Sequence, residues 1–461
     1  MTFSEYLDGL KCRRVTVIGA GISNTPLIET LLAAGIDTTI CDRQTRDDIG
    51  GAADIYESMG AQLRLGYDYL GNPDGDVIFR TPGLMPWRPE LLEAVKRGAV
   101  LTSEMEVFFD VCPCKIIAVT GSDGKTTTTS IIAKMLEKVG RTVHVGGNIG
   151  APLLCAADKM NPDDIAVLEL SSFQLITMRK SPDTAVITNI SPNHLDIHSD
   201  FTEYYEAKRN IYMHQDISGR AVFNLDNDYT RDFAESTPGE ALFFSRREKV
   251  REGAYIDDGI IYESINGSAE IIMPCSEILL PGVHNIENCM AAFAAVRGIA
   301  DRSAMREVAR TFRGVPHRIE LVREVNGVSY YNDSIASSPT RAIAGLRAFD
   351  QKVILIAGGK DKGVEFDELG VEIVQHVKTL VLTTGLAAEK IRNAVVNAAG
   401  YSGVPEIIEY EEFKDAVLTA SASAESGDIV LLSPACTSLD RFKNFEERGE
   451  TFREIVSRIE S

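Results

Sequence analysis

Lys115-Ile116-Ile117-Ala118-Val119-Thr120-Gly121-Ser122-Asp123-Gly124-Lys125-Thr126 contains most of what is needed to classify this chain. Its first half is an apolar, β-branched run and reads as a buried strand. Two glycines then break the run, and helical spacing follows as far as Gly140. Strand, glycine loop and helix in that order turn backbone N–H groups and a helix N-terminus toward one point, which suits a phosphate chain. Lys125 neutralises phosphate oxygens, and the Thr126 hydroxyl is of the kind that reaches Mg²⁺. Gly121, Ser122, Asp123, Gly124, Lys125, Thr126 and Thr127 are therefore the expected nucleotide contacts. The usual spacing GxxxxGK[ST] would place glycine at 119, where Val119 stands.

The same rhythm runs outward in both directions. Val15-Thr16-Val17-Ile18 leads into Gly19-Ala20-Gly21 and a helix ending near Gly35, then into Thr38-Thr39-Ile40 and Asp42. Val77-Ile78-Phe79 ends in Thr81-Pro82-Gly83. Runs at 165–170, 185–190, 328–331, 353–357, 380–384 and 429–433 continue the series. Strands alternating with helices predict an α/β fold with parallel sheets. Ligands then belong at the carboxyl ends of the strands. Breaks near 110 (Val111-Cys112-Pro113-Cys114) and 315 (Arg313-Gly314-Val315-Pro316) predict three domains, 1–110, 111–315 and 316–461. Residues 220–282 read as a β-rich excursion within the middle domain.

Strand ends supply further candidates. Gly19-Ala20-Gly21, with Asp42 about twenty residues on, opens like a dinucleotide fingerprint, but Asn24 holds the third glycine's place. The turn serves either a phosphate or uridine site or only its own tight geometry. Glu169 ends the strand Ile165-Ala166-Val167-Leu168, one βα unit after the phosphate loop, where a carboxylate is well placed for Mg²⁺. His194, in Asn193-His194-Leu195-Asp196 just past the next strand, shares that rim as a second metal candidate. Lys208 beside Arg209 reads, on its own, as an ordinary exposed lysine.

Charge narrows the function classes. The 461 residues hold 47 basic and 67 acidic side chains, a net charge of −20, which disfavours general nucleic-acid binding. No apolar run reaches 18 residues and no h-region opens the chain, so neither a membrane span nor a signal peptide is expected. The eight cysteines lack zinc or redox spacing and read as reduced thiols of a cytoplasmic protein.

The segments TGSDGKT, ELSSFQL, SPNHLD, 204–210 with Lys208, HNIENCMAA, PHR and SPACTSLDRFKNF together resemble the Mur ligases over essentially the whole chain. These are the ATP-dependent amino-acid ligases of peptidoglycan precursor synthesis. The segment 433–449, and a GxG first domain combined with Gly358-Gly359-Lys360-Asp361-Lys362, resemble the member that adds D-glutamate. The resemblance implies a Rossmann-like N-terminal domain for UDP-N-acetylmuramoyl-L-alanine, a central P-loop-type ATPase and a Rossmann-like C-terminal domain for the amino acid. It further implies a monomer, ATP and two Mg²⁺ ions. Lys125 and Thr126 match phosphate and Mg²⁺ ligands, Glu169 and His194 match Mg²⁺ ligands, and Lys208 matches the lysine that is carbamylated in the family. Lys125, His194 and Lys208 form the implied catalytic set. Asn285 and Asn288 resemble adenine contacts, Arg318 the arginine on the ATP phosphates, and Asp333 the ribose contact. Ile22, Ser23, Asp42, Arg43 and Gly83 resemble uracil and diphosphate contacts; Asn148 and Ser171 resemble contacts to the muramoyl substrate. Lys362, Ser438 and Phe445 fall where D-glutamate is expected.

The chain departs from the family pattern at one telling place. Asn-Asp-Ser-Lys-Ala-Thr-Asn is common there, and this chain reads Asn332-Asp333-Ser334-Ile335-Ala336-Ser337-Ser338. The lysine's charge is missing at Ile335.

Overall fold

The computed structural model describes residues 1–21, 23–192, 197–361, 363–439 and 441–460. The chain divides into two compact units, Met1–Glu277 with Ile286–Ala309, and Ile278–Asn285 with Arg310–Ser461.

The first unit carries two sheets. One has five parallel strands in the order Gln62–Leu65, Thr38–Asp42, Val15–Ile18, Val77–Arg80, Val100–Thr102. Its three central strands are apolar and largely buried, as expected of a parallel sheet covered on both faces. The second sheet has nine strands, and Lys115–Thr120 lies between Thr184–Ile187 and Ile165–Glu169, parallel to both. The chain leaves this strand to one side, through Val143–Gly147 and Ile165–Glu169, then returns on the other through Thr184–Ile187. That reversal is a topological switch point, and it opens a crevice at the carboxyl ends of these strands.

The β-rich excursion expected at 220–282 extends the middle-domain sheet. Arg220–Asn224, Glu240–Ser245 and Gly253–Asp257 prolong the nucleotide sheet in parallel, with a helix, Asp228–Ala234, in the first connection. Only the hairpin strands Ile260–Ile265 and Ser268–Pro274 are antiparallel. Glycine- and aspartate-rich turns hid the αβ rhythm here.

The second unit has six strands ordered Glu320–Val325, Val328–Asn332, Ile429–Leu432, Val353–Ala357, Val377–Thr383, Glu406–Tyr410. The first two form a hairpin through Asn326-Gly327, both at positive φ; the other pairings are parallel. All eight cysteines are free thiols, with the Cys112 and Cys114 sulfurs 3.6 Å apart. Among the described residues, no helix is long and apolar enough to cross a membrane.

Candidate active site

The phosphate loop is held by the strand end across the switch point. Asn189 accepts from the Ser122 N–H through its backbone carbonyl (2.9 Å) and from the Asp123 N–H through Oδ1 (3.0 Å). The Thr188 hydroxyl donates to the Asp123 carbonyl at 2.5 Å, and Ser122 Oγ donates to the Ser191 carbonyl at 2.9 Å. Gly124 precedes the 14-residue helix Lys125–Lys138 at φ 77°, and a Cβ there would sit 2.2 Å from Asn288 Oδ1. Both the left-handed backbone and the close approach demand glycine. Lys125 Nζ folds back to donate to the Gly121 and Ser122 carbonyls at 3.0 and 2.8 Å.

Glu169 is 2% exposed at the end of its strand. One carboxylate oxygen accepts from Thr126 Oγ1 (2.6 Å), the other from Asn148 Nδ2 (2.9 Å). Asn148 thus meets Glu169 directly. Ser171 caps the short helix Ser172–Leu175 in a capping box with Gln174.

Lys208 overturns the reading of an exposed lysine. It lies on the helix Phe201–Arg209, is 1% exposed, and donates to the Gly121 carbonyl at 2.9 Å. Its Nζ lies 4.7 Å from the centre of the Tyr204 ring. Burial, and then the neighbouring Lys125 charge, push its pKa well below the usual lysine value. Arg209, the neighbour in sequence, pairs instead with Glu206. His194 and its neighbours 193–196 lie outside the described residues, as do Ile22 and Lys362.

Several supporting groups carried no signal of their own in the sequence. Thr188 and Asn189 shape the loop, and Tyr204 reaches Ser122 Oγ at 3.0 Å. His198 is buried, 2.9 Å from Ser172 Oγ and 3.1 Å from Glu203, and it stacks on Phe173. Arg80 is fully buried, donating to the carbonyls of Pro82, Leu84 and Phe173 and to Thr177 Oγ1. It ties the first sheet to the turn after Glu169. An apolar strand ending in arginine, as Val77–Arg80 does, was the one available cue.

In the first sheet the glycine turn is held by contacts of its own. Gly19 adopts φ 92°, with Thr81 packed where a Cβ would lie. Asp42 accepts from the Ala20 N–H (2.7 Å) and the Gln44 N–H (2.8 Å). Asn24, in place of the third glycine, donates to the Ile18 and Gly19 carbonyls. Ser23, Arg43 and Gly83 stand exposed just beyond three neighbouring strand ends.

In the second unit Asp333 is buried at the end of its strand and accepts from Ser433 Oγ at 2.8 Å. Burial pushes its carboxyl up to about 7, against the pull of that hydrogen bond and of Arg318. Arg318 is half-buried between His317 and Ile319, both at positive φ. Ser438 is buried, and Phe445, half-buried, crosses the His317 ring edge-on. The unforeseen Arg448 is buried and donates to Ser334 Oγ and to the carbonyls of Ser334 and Cys436, locking the SPACTS segment to the loop after Asp333. Asn285 donates to the Pro281 carbonyl, and Asn288 Oδ1 accepts from Thr128 Oγ1.

These residues fit a nucleoside triphosphate with a hard cation. Glycine at 124 lets the loop pack against Asn288, and Thr126 and Glu169 place oxygen atoms beside a helix N-terminus. Fold and site thus define an α/β nucleotide-binding protein of the phosphate-loop type. The Mur ligase middle-domain model matches residues 119–296, and the model for the Mur ligase glutamate ligase domain matches 317–436. A protein of Acetivibrio thermocellus named UDP-N-acetylmuramoylalanine--D-glutamate ligase is 48% identical over 99% of both chains. A protein of Clostridium novyi with the same name is 45% identical, again over 99% of each chain. Among solved structures, the UDP-N-acetylmuramate-alanine ligase of Thermotoga maritima is similar with a TM-score of 0.56 at 18% identity, covering 96% of this chain and 99% of its own. MurF from Acinetobacter baumannii has the same TM-score at 15% identity over 75% of this chain and 77% of its own. The chain belongs to the Mur ligase family.

Proposed function

We propose that this chain joins D-glutamate to UDP-N-acetylmuramoyl-L-alanine, converting ATP to ADP and phosphate through an acyl phosphate, as a step of peptidoglycan precursor synthesis. The observation that carries the reading is one shared atom. The Gly121 carbonyl accepts from both Lys125 Nζ (3.0 Å) and Lys208 Nζ (2.9 Å), one lysine on the phosphate loop and one buried behind it. Two ammonium groups on one oxygen repel, so the buried amine is held toward its neutral form. A neutral amine can take up CO₂, and the resulting carbamate offers anionic oxygens to a cation that an ammonium would repel.

The mechanism follows from the groups. A carboxylate resists attack by an amine because its own charge opposes the nucleophile and it lacks a leaving group. In the first step a carboxylate oxygen of the alanyl substrate bonds to the γ-phosphorus while the bond to ADP breaks. In the second the D-glutamate amine bonds to the acyl carbon, phosphate leaves, and the amine gives up a proton. Positioning and charge neutralisation dominate such a transfer. Lys125 and Arg318 supply positive charge to the phosphates; Gly121, Ser122, Asp123, Gly124, Thr126 and Thr127 cradle them; Asp333 takes the ribose; Asn285 and Asn288 take the adenine. Thr126, Glu169, His194 and carbamylated Lys208 would hold two Mg²⁺ ions. Mg²⁺, when bound, shields the charge of the polyphosphate chain. Ile22, Ser23, Asp42, Arg43 and Gly83 are assigned to the UDP moiety, Asn148 and Ser171 to the muramoyl-alanine part, and Lys362, Ser438 and Phe445 to D-glutamate. In this reading 1–110 is the UDP domain and 111–315 the ATP domain, and 316–461 takes the amino acid. The enzyme acts as a cytoplasmic monomer.

Phosphate release from ATP with UDP-N-acetylmuramoyl-L-alanine, measured with D-glutamate, with L-glutamate and with neither, tests the reaction. Release that responds only to the D enantiomer is expected; indifference to both amino acids would sink the reading. Lys362→Ala should raise the KM for D-glutamate far more than that for ATP, because a charge-assisted contact is lost on one substrate alone.

A further inference from the structure

The loss of a cation at Ile335 has a structural answer six residues later. Arg341 lies in the first turn of the helix Pro339–Leu346, and its Nη1 donates to the backbone carbonyl of Ile335 at 3.3 Å. The guanidinium therefore lies over the very residue whose side chain lacks the charge. Gly345, four residues on, shares the helix face of Arg341, and a Cβ there would stand 2.7 Å from Asp333 Oδ2. That face is laid directly on the buried carboxyl at the end of the strand Val328–Asn332.

Arg318 acts on the same carboxyl. The Ile335 N–H donates to the His317 carbonyl at 3.0 Å, which fixes the Ile335 turn to the strained segment carrying Arg318. Strained backbone of this kind persists where a ligand-binding group must be held. Among the described residues neither arginine forms an ion pair, and each keeps part of its surface in contact with solvent. Each acts on Asp333, and Arg318 also pushes the Arg341 pKa down by like-charge repulsion, after burial. Two guanidiniums that repel one another around a single buried carboxyl leave a net positive site. An anion of more than one charge relieves that repulsion, and the planar forks of arginine match phosphoryl oxygens.

We infer that Arg341 is a second phosphoryl-binding arginine, which takes over beside Arg318 the charge that Ile335 does not carry. The inference rests on the proposed ligase reaction, in which Arg318 serves the ATP phosphates. Arg341 then acts on ATP and on turnover, not on the amino acid.

Three variants of the full chain test it, by steady-state kinetics in ATP and in D-glutamate with thermal unfolding as a fold control. Arg341→Ala should lower kcat/KM for ATP by about 10- to 100-fold, the worth of one hydrogen bond to a charged group, while the KM for D-glutamate stays within about threefold. Arg341→Gln keeps an N–H donor for the Ile335 carbonyl but no charge, and should be as impaired as the alanine variant. Arg341→Lys keeps the charge and should recover most of the loss. Full activity of the glutamine variant would reduce Arg341 to a tether for the loop, and overturn the inference. So would an alanine variant within threefold of wild type, or an effect confined to the KM for D-glutamate, which would mark a carboxylate site. Absence of D-glutamate-dependent phosphate release in the wild type would instead remove the ligase reading itself.

Discussion

Lys208 and Asp333 are two buried ionisable groups, each in its own unit, with 1% and 4% of their surface exposed. Burial moves them in opposite directions. The lysine is pushed well below its usual value, and the carboxyl up from 3.8 to about 7. The cause is common to both: an apolar surround penalises whichever form carries the charge. The neighbours differ. Beside Lys208 the next influence is a like charge, Lys125, which adds to the desolvation. Around Asp333 the next influences are a hydroxyl donor, Ser433, and the Arg318 cation, which oppose it. The first arrangement shifts the amine toward its neutral form; the second leaves a carboxyl poised near neutral pH beside two arginines.

Removing Lys208 should have the largest effect. Lys208→Ala is expected to abolish ligation, and a small carboxylate added to the assay should partly restore it by filling the vacated space with anionic oxygens. An active alanine variant, or intact-mass and crystallographic data showing a free amine in the ADP- and Mg²⁺-bound enzyme, would end the carbamate assignment. Lys125→Ala comes next, with an expected loss of about 100- to 1,000-fold in kcat/KM, the scale of a lost electrostatic contact in a transition state. It should also let the Lys208 pKa rise, which the pH dependence of carbamylation, followed with labelled CO₂, would register. A residual activity above about a tenth, or about 1.4 kcal/mol, contradicts the role of Lys125.

The two groups should also impose opposite slopes on stability against pH. Asp333 has a raised folded pKa, so its contribution is fully present below about 3.8 and is lost as pH rises through about 7. Lys208 has a depressed folded pKa, so the unmodified lysine contributes stability that is present above 10.5 and lost as pH falls through its folded value. Asp333→Asn should therefore flatten the fall in unfolding midpoint between pH 4 and pH 7, and Lys208→Met the rise at higher pH. Like slopes in both variants would break the comparison. The smallest change is expected from Ser433→Ala. Losing the 2.8 Å hydrogen bond to Asp333 should raise the carboxyl pKa further and cost about 1 kcal/mol, seen as a shift of the same pH transition to higher values.

Much of the candidate site was legible because its signals are local. Gly121, Gly124, Lys125 and Thr126 lie within six residues, and strand, loop and helix leave periodic marks in the same short window. Glu169 was legible for a related reason, since a carboxylate ending an apolar run sits where ligands bind in parallel sheets. Thr188, Asn189, Tyr204 and His198 were not, because their hydrogen bonds cross between strands and helices far apart in the chain. The strands at 220–257 were legible as β-rich, but their parallel pairing in the same sheet was not, because it joins segments far apart in the chain. The two backbone N–H groups that Asp42 holds, those of Ala20 and Gln44, were likewise not legible in the sequence.

The order of strands and helices, the phosphate loop and the family resemblance were all written in the sequence, since each depends on residues that are neighbours along the chain. Whether Lys208 is exposed or buried, whether Asp333 is ionised, and where Arg341 reaches were decided only by tertiary packing. Those properties depend on how much water remains around a group and which charges stand nearby, and a linear sequence records neither.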